Sequence, residues 1–173
     1  MAYDFASTQI NFPLVESDYY LSKVKDMIPS SDLYEPDDQK GMIQDPHVTV
    51  LFGLHNQKPS LELINFIESY PRFVVQLGLV SLFKNETFDV VKVDVNCPDL
   101  HVLHSQIKEL MPNTQTFPEY IPHSTIAYVK KDTSDHLEGL DTFKGMSFVA
   151  THLSFSRKSG DLIYIPFGVR TKL

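Results

Sequence analysis

Apolar positions recur along this chain with two different periods. Between Ser17 and Ile28 they fall at Tyr20, Leu21, Val24, Met27 and Ile28, a helical spacing that Pro29 stops. Ser60 to Tyr70 predicts a helix with Ser60 as N-cap and Glu62 in its first turn. Leu100 to Met111 predicts another, apolar at Leu100, Leu103, Ile107, Leu110 and Met111 and ended by Pro112-Asn113. From Pro46 to Leu54 the period drops to two. His47, Thr49, Leu51 and Gly53 are expected on one face of a strand, and Val48, Val50, Phe52 and Leu54 on the core face. Pro122 to Val129 repeats the pattern, with Ile126 and Tyr128 expected opposite His123 and Thr125. Phe73 to Leu82 and Phe88 to Val95 predict a strand pair around Lys84-Asn85. Met146 to Arg157 and Asp161 to Phe167 predict a hairpin across Lys158-Ser159-Gly160, preceded by a short helix within Ser134 to Leu140.

The order is helix, strand, helix, two strands, helix, strand, short helix, two strands. Each half has one strand of the same make-up, then a helix and a strand pair. That predicts a duplicated α+β unit: one domain over residues 1–173, with two pseudo-symmetric lobes whose antiparallel sheets form a central cleft and whose helices lie outside.

The two similar strands carry the chemistry. Pro46-His47-Val48-Thr49-Val50 and Pro122-His123-Ser124-Thr125-Ile126 both read P-H-x-T-[VI]. About 0.4 copies of bare H-x-T are expected by chance from this composition, and roughly four in a thousand once the flanks are required. Each copy sets one imidazole and one hydroxyl on a single strand face. Two copies across a groove would make an acid–base pair flanked by two hydrogen-bond donors, which suits phosphodiester chemistry.

Composition narrows the ligand. The net charge is −7, and the dense basic clusters, Lys130-Lys131 and Arg157-Lys158, are two residues long. A protein that tracks a long nucleic acid needs a basic stripe, so a compact nucleotide with few phosphates is the better fit. The hydrophobic content is 42%, no apolar run approaches a membrane span, the start lacks a signal-like pattern, and Cys97 is the single cysteine. These features lead us to expect a cytoplasmic protein without a membrane partner. No P-loop, Rossmann fingerprint, G-x-S-x-G elbow, H-E-x-x-H, C-x-x-C or EF-hand loop is present.

The paired strands resemble the 2H phosphoesterase superfamily, which acts on phosphodiester and cyclic phosphate bonds of nucleotides. Asp45 to His55, Val80 through Phe83 to Asp94, and Pro122 to Val129 with its Ala127-Tyr128 pair are similar to a phage branch of it, the anti-CBASS phosphodiesterases. That resemblance implies a 2H fold and a cyclic di- or trinucleotide substrate. It also implies His47, Thr49, His123 and Thr125 as catalytic residues, no metal or other cofactor, and action in a host cytoplasm if phage-encoded. Ser124 departs from the usual hydrophobic residue at its position but points away from the cleft by alternation. Two other readings stay open: an enzyme of RNA ends, opening 2′,3′-cyclic phosphates or handling 2′-5′ linkages, and a non-catalytic nucleotide sponge.

Base binding needs flat partners, and with no Trp the candidates are Phe83 and Tyr164. Lys92 alternates away from Val91 and Val93 and is expected to be a solvated lysine. His101 and His104, three apart on a helix, are expected at the surface or partly packed. His152 is expected to be structural, and His55 and His136 solvated.

Overall fold

The computed structural model describes residues 3–172. Along it run β1 (Ala6–Asn11), α1 (Leu14–Val24), β2 (His47–Leu54), α2 (Leu61–Ser69), β3 (Pro71–Lys84), β4 (Phe88–Asn96), α3 (Pro98–Leu110), β5 (His123–Lys130), β6 (Ser147–Ala150), β7 (His152–Ser156), β8 (Leu162–Pro166) and β9 (Gly168–Lys172). Single 3-10 turns lie at Ser30–Asp32, Pro36–Asp38 and Asp135–Leu137. Ser60 caps α2 as expected, its side chain accepting from the Leu63 N–H, a contact worth about 1 kcal/mol.

The strands form one curled antiparallel half-barrel in the order β6-β3-β4-β5-β2-β1-β7-β8, with β9 parallel to β3. Within it the two expected sheets are two wings, β5-β4-β3-β6 and β2-β1-β7-β8. The motif strands β2 and β5 join them through one register pair, Val48 with Ser124. Because that pair is antiparallel, an approximate two-fold axis relates β2 to β5, β1 to β4, β7 to β3 and β8 to β6.

The wings do not coincide with the halves of the sequence. The β3–β4 hairpin, which follows the first motif, pairs with the second motif strand through β4. The β7–β8 hairpin, which follows the second motif, reaches the first motif strand through β1. The strand expected over Met146 to Arg157 is two strands: β6 edges one wing on β3, and β7 enters the other beside β1. Thr151 lies between them, its carbonyl bonded to the Phe167 N–H at 3.0 Å. Neither β1 nor β9 is predicted by periodicity. In β1 Thr8 and Gln9 are both buried, so burial there does not track side-chain polarity.

Helices cover the outer side of the sheet. α3 buries Leu100, Leu103 and Ile107, and α2 buries Leu63 and Ile67. α1 starts and ends earlier than expected, with Leu14 and Val15 exposed, while Tyr20 packs between the rings of Phe12 and Phe143.

Candidate active site

Both motif strands carry a bulge one residue past the threonine. On β2, Gln9 pairs with Thr49 and Thr8 with Leu51, which leaves Val50 as the extra residue. On β5, Lys92 pairs with Thr125 and Val91 with Ala127, which leaves Ile126 extra. A bulge reverses the alternation beyond it. Leu51 and Ala127 therefore enter the core, and Phe52 and Tyr128 turn outward, each 37% exposed. This corrects the strict alternation expected for Leu51, Phe52 and Tyr128.

The carbonyls that the bulges take out of the ladder are satisfied elsewhere. Val50 O accepts from His104 Nδ1 at 2.7 Å, and Ile126 O from the Ile43 N–H at 3.0 Å. Tyr120 Oη donates to Thr49 O at 2.8 Å, and its ring lies parallel to His104, with centroids 4.1 Å apart. His104 is therefore a strut for the first motif strand, beneath the site.

His47 and His123 are oriented alike. Each ring approaches the carbonyl two residues upstream: His47 Nδ1 to Asp45 O at 2.7 Å, and His123 Nδ1 to Ile121 O at 2.7 Å. A carbonyl only accepts, so each Nδ1 carries the proton and each neutral ring keeps its lone pair on Nε2. Extending the antiparallel register from Val48–Ser124 sets His47 beside Thr125 and Thr49 beside His123. Burial holds His47 below the ordinary histidine value, against the pull of the Asp45 carbonyl and charge. Burial also lowers His123, helped by the Lys92 and His47 charges and opposed by the Ile121 carbonyl and Asp94. Ser124 points away from the cleft, fully buried, with Oγ 3.4 Å from Tyr20 Oη.

A second layer repeats across the two-fold. Behind the second motif, Lys92 pairs with Thr125, Asp94 with His123, and Ser81 of β3 with Lys92. Behind the first, Gln9 pairs with Thr49, Asn11 with His47, and Ser154 of β7 with Gln9. One trio is charged and bonded: Lys92 Nζ donates to Ser81 Oγ and, at 2.6 Å, to Asp94 Oδ1, and Ser81 also donates to Asp94. The other is neutral, with Gln9 Nε2 donating to Asn11 Oδ1 at 3.3 Å and Ser154 Oγ buried without a partner. Lys92 is only 4% exposed, contrary to the solvated lysine expected, because the Phe83 ring covers its ammonium at 4.4 Å. Gln9, Asn11, Ser81, Asp94 and Ser154 were not singled out from the sequence. The signal for three of them, Gln9, Asn11 and Asp94, is Gln9-Ile10-Asn11 set beside Lys92-Val93-Asp94.

Phe83 meets His123 edge to face at 5.0 Å. Tyr164 is exposed and meets His152 in the same way, also at 5.0 Å. A cleft of about 1170 Å³ opens on the His47 side, lined by His47, Thr49, Phe52, Tyr128 and Tyr164 together with Tyr3 and Phe5. His152 lines it too. His55 is exposed, as expected, and there bonds Thr114 Oγ1 at 2.8 Å and stacks on Phe5.

Among the described residues, one acidic group has ligand atoms close enough for a metal: Asp89, Asp132 and Asp135. Lys84 Nζ fills it, at 2.7, 2.7 and 2.6 Å from the three carboxylates. No helix among these residues is long and apolar enough to cross a membrane.

The sequence matches the family model of the 2′-5′ RNA ligase superfamily over residues 34–162. The crystal structure of TT0787 from Thermus thermophilus superposes with a TM-score of 0.67 at 14% identity, covering 98% of this chain and 100% of that one. Apo LigT of Escherichia coli superposes at 0.61 and 13% identity, covering 98% and 100%. Usb1 of Kluyveromyces marxianus with uridine monophosphate gives 0.51 and 14%, covering 94% and 97%. At these identities the shared property is the fold. No curated protein sequence matches.

Proposed function

Since the chain belongs to the 2′-5′ RNA ligase superfamily of 2H phosphoesterases, we propose that it hydrolyses 3′-5′ phosphodiester bonds of cyclic di- and trinucleotide messengers. In a phage-infected cell that activity would remove the signal of CBASS defence. The observation that carries the reading is two imidazoles on adjacent strands, His47 and His123, each with Nδ1 held by a carbonyl and Nε2 left to act, and a large aromatic cleft on the His47 side. Its volume of about 1170 Å³ lies above the usual range for small-ligand pockets, roughly 300–1,000 Å³, and suits two or three nucleotides better than one.

The chemistry needs no cofactor. One Nε2 takes the proton of the attacking hydroxyl, from water or a ribose 2′-OH, as its oxygen bonds to phosphorus. The P–O5′ bond breaks, and the other imidazolium gives its Nε2 proton to the departing oxygen. Thr49 and Thr125 donate to the non-bridging oxygens as charge builds there. Phe83 and Tyr164 stack against bases.

A second reading, an enzyme that opens 2′,3′-cyclic phosphates on RNA ends or handles 2′-5′ linkages, is favoured by the name of the matched family and by the uridine monophosphate in the Usb1 structure. The acidic chain and a cleft whose lining includes one lysine, Lys40, argue for the compact ligand. The test is incubation with cyclic dinucleotides, cyclic trinucleotides and cyclic-phosphate-ended RNA, followed by chromatography. Linearised rings support the first reading. Processed RNA ends with intact rings support the second and overturn the first. Tight binding without turnover overturns both and indicates a sponge.

A further inference from the structure

The two-fold repeat is close in position and unequal in charge. Ser81, Lys92 and Asp94 stand behind His123 and Thr125 in the same register as Ser154, Gln9 and Asn11 behind His47 and Thr49. Lysine replaces glutamine, and aspartate replaces asparagine. A buried ammonium is costly unless it is paired, and here three contacts hold it: Ser81 Oγ, Asp94 Oδ1 and the face of Phe83. Phe83 in turn packs edge-on against the His123 ring. The trio therefore touches the second motif through both charge and packing, and the neutral trio has no equivalent.

We propose that Lys92, held by Ser81 and Asp94, is a positioning residue that divides the labour between the histidines, keeping His123 neutral as the general base and leaving His47 to carry the proton as the general acid. This rests on the phosphodiesterase reading above. The charged groups acting on His123 are Lys92 and Asp94 from β4 and His47 from β2, and the lysine outweighs the aspartate. His47 is lowered by burial as well, but there the charged group is Asp45, which opposes burial and favours the protonated ring, and the register neighbour on β1 is the neutral Asn11. Asp94 lies below its ordinary value: burial raises it, and the hydrogen bonds from Lys92 and Ser81, with the Lys92 and His123 charges, outweigh that. It therefore stays ionised and keeps Lys92 in place. In the reaction His123 Nε2 takes the hydroxyl proton and His47 Nε2–H protonates the leaving O5′. Both return to their starting states by exchange with solvent.

The experiment combines two readouts on Lys92→Gln, Asp94→Asn and Lys92→Arg, each checked for a native circular dichroism spectrum. The first is titration of the histidine ring resonances in free protein, assigned with His47→Gln and His123→Gln. Lys92→Gln is expected to raise the His123 midpoint by about 0.5 to 1 pH unit and Asp94→Asn to lower it, with His47 nearly unmoved and Lys92→Arg near the parent. The second is the pH profile of kcat/KM on bis(p-nitrophenyl) phosphate and on whichever panel nucleotide is turned over. Lys92→Gln should move the acid limb, set by the base, to higher pH and leave the alkaline limb in place. A purely structural lysine would lower the rate without moving one limb selectively. An unmoved His123 midpoint, or movement of the alkaline limb instead, overturns the proposal. Should Lys92→Gln fail to fold, the opposite shift in Asp94→Asn decides. The titration needs no substrate, so failure to cleave cyclic nucleotides would count against the function alone.

Discussion

Val48 and Ser124 are register partners at the seam of the half-barrel, and both are fully buried beneath the site. The residues on either side of them are His47 and Thr49 on one strand and His123 and Thr125 on the other. Since side chains alternate across a strand, burying that central pair turns all four flanking side chains to the opposite face. The catalytic arrangement proposed above is thus a consequence of one buried cross-strand pair.

Loss of either histidine should cost nearly the whole rate. His47→Ala and His123→Ala are each expected to lower kcat by about 10²–10⁴-fold on the substrate identified by the panel. The double variant should fall little further, because both groups act in one transition state. Near-full turnover by a folded His123→Ala protein would refute the two-histidine mechanism, and EDTA should leave the parent rate unchanged.

Burial lowers both histidines, so the optimum of kcat/KM should fall on the acid side of about 6.5. A bound phosphodiester anion favours the imidazolium, so the kcat optimum should lie at higher pH. Stability carries the same sign. A histidine whose folded value is depressed stays neutral while its unfolded counterpart protonates, so stability is lost as pH falls from about 6.5 toward the folded value. His104 and His152 are lowered by burial as well and add to this effect. Melting temperatures at pH 7.5 and 5.5 check it, and a higher value at 5.5 would contradict it.

Tyr120→Phe should keep the stacked ring and lose the bond to Thr49 O. Leaving that carbonyl short of a donor costs about 1–3 kcal/mol. With the first motif strand less constrained, kcat should drop by about tenfold or more, and KM should change less. Unchanged kcat would show that Thr49 is held by the ladder alone.

Tyr164→Ala should act on binding. Removing one stacking face costs about 1–3 kcal/mol per base, or roughly 5- to 150-fold in KM, with kcat affected less. Equal losses in kcat and kcat/KM would place Tyr164 in the transition state instead.

Gly53 has φ of 99°, and a Cβ there would sit 2.1 Å from Thr114 O. Gly53→Ala should therefore destabilise the fold by about 2 kcal/mol or more, measured by urea unfolding. A loss below about 0.5 kcal/mol would mean that the segment carrying Thr114 shifts freely.

The sequence by itself determined the motif strands, the face shared by each His–Thr pair, the α2 cap at Ser60, the strand pair before α3 and the α+β class. All of these rest on spacings within a few residues, where side-chain direction follows from backbone geometry alone. Tertiary structure decided the rest. Phe52 and Tyr128 turn outward because Thr8–Gln9 and Val91–Lys92 each skip a residue on their partner strand, and nothing in the local pattern marks the skipped position. Lys92 is buried because Ser81, Asp94 and Phe83 converge on it from two strands. The hairpins serve opposite wings, and β7 leaves β6 at Thr151, because Gln9 pairs with Ser154 and Gln76 with Ser147. Pairings of that kind join residues tens of positions apart, and their free energy depends on which surfaces meet, which no local period records.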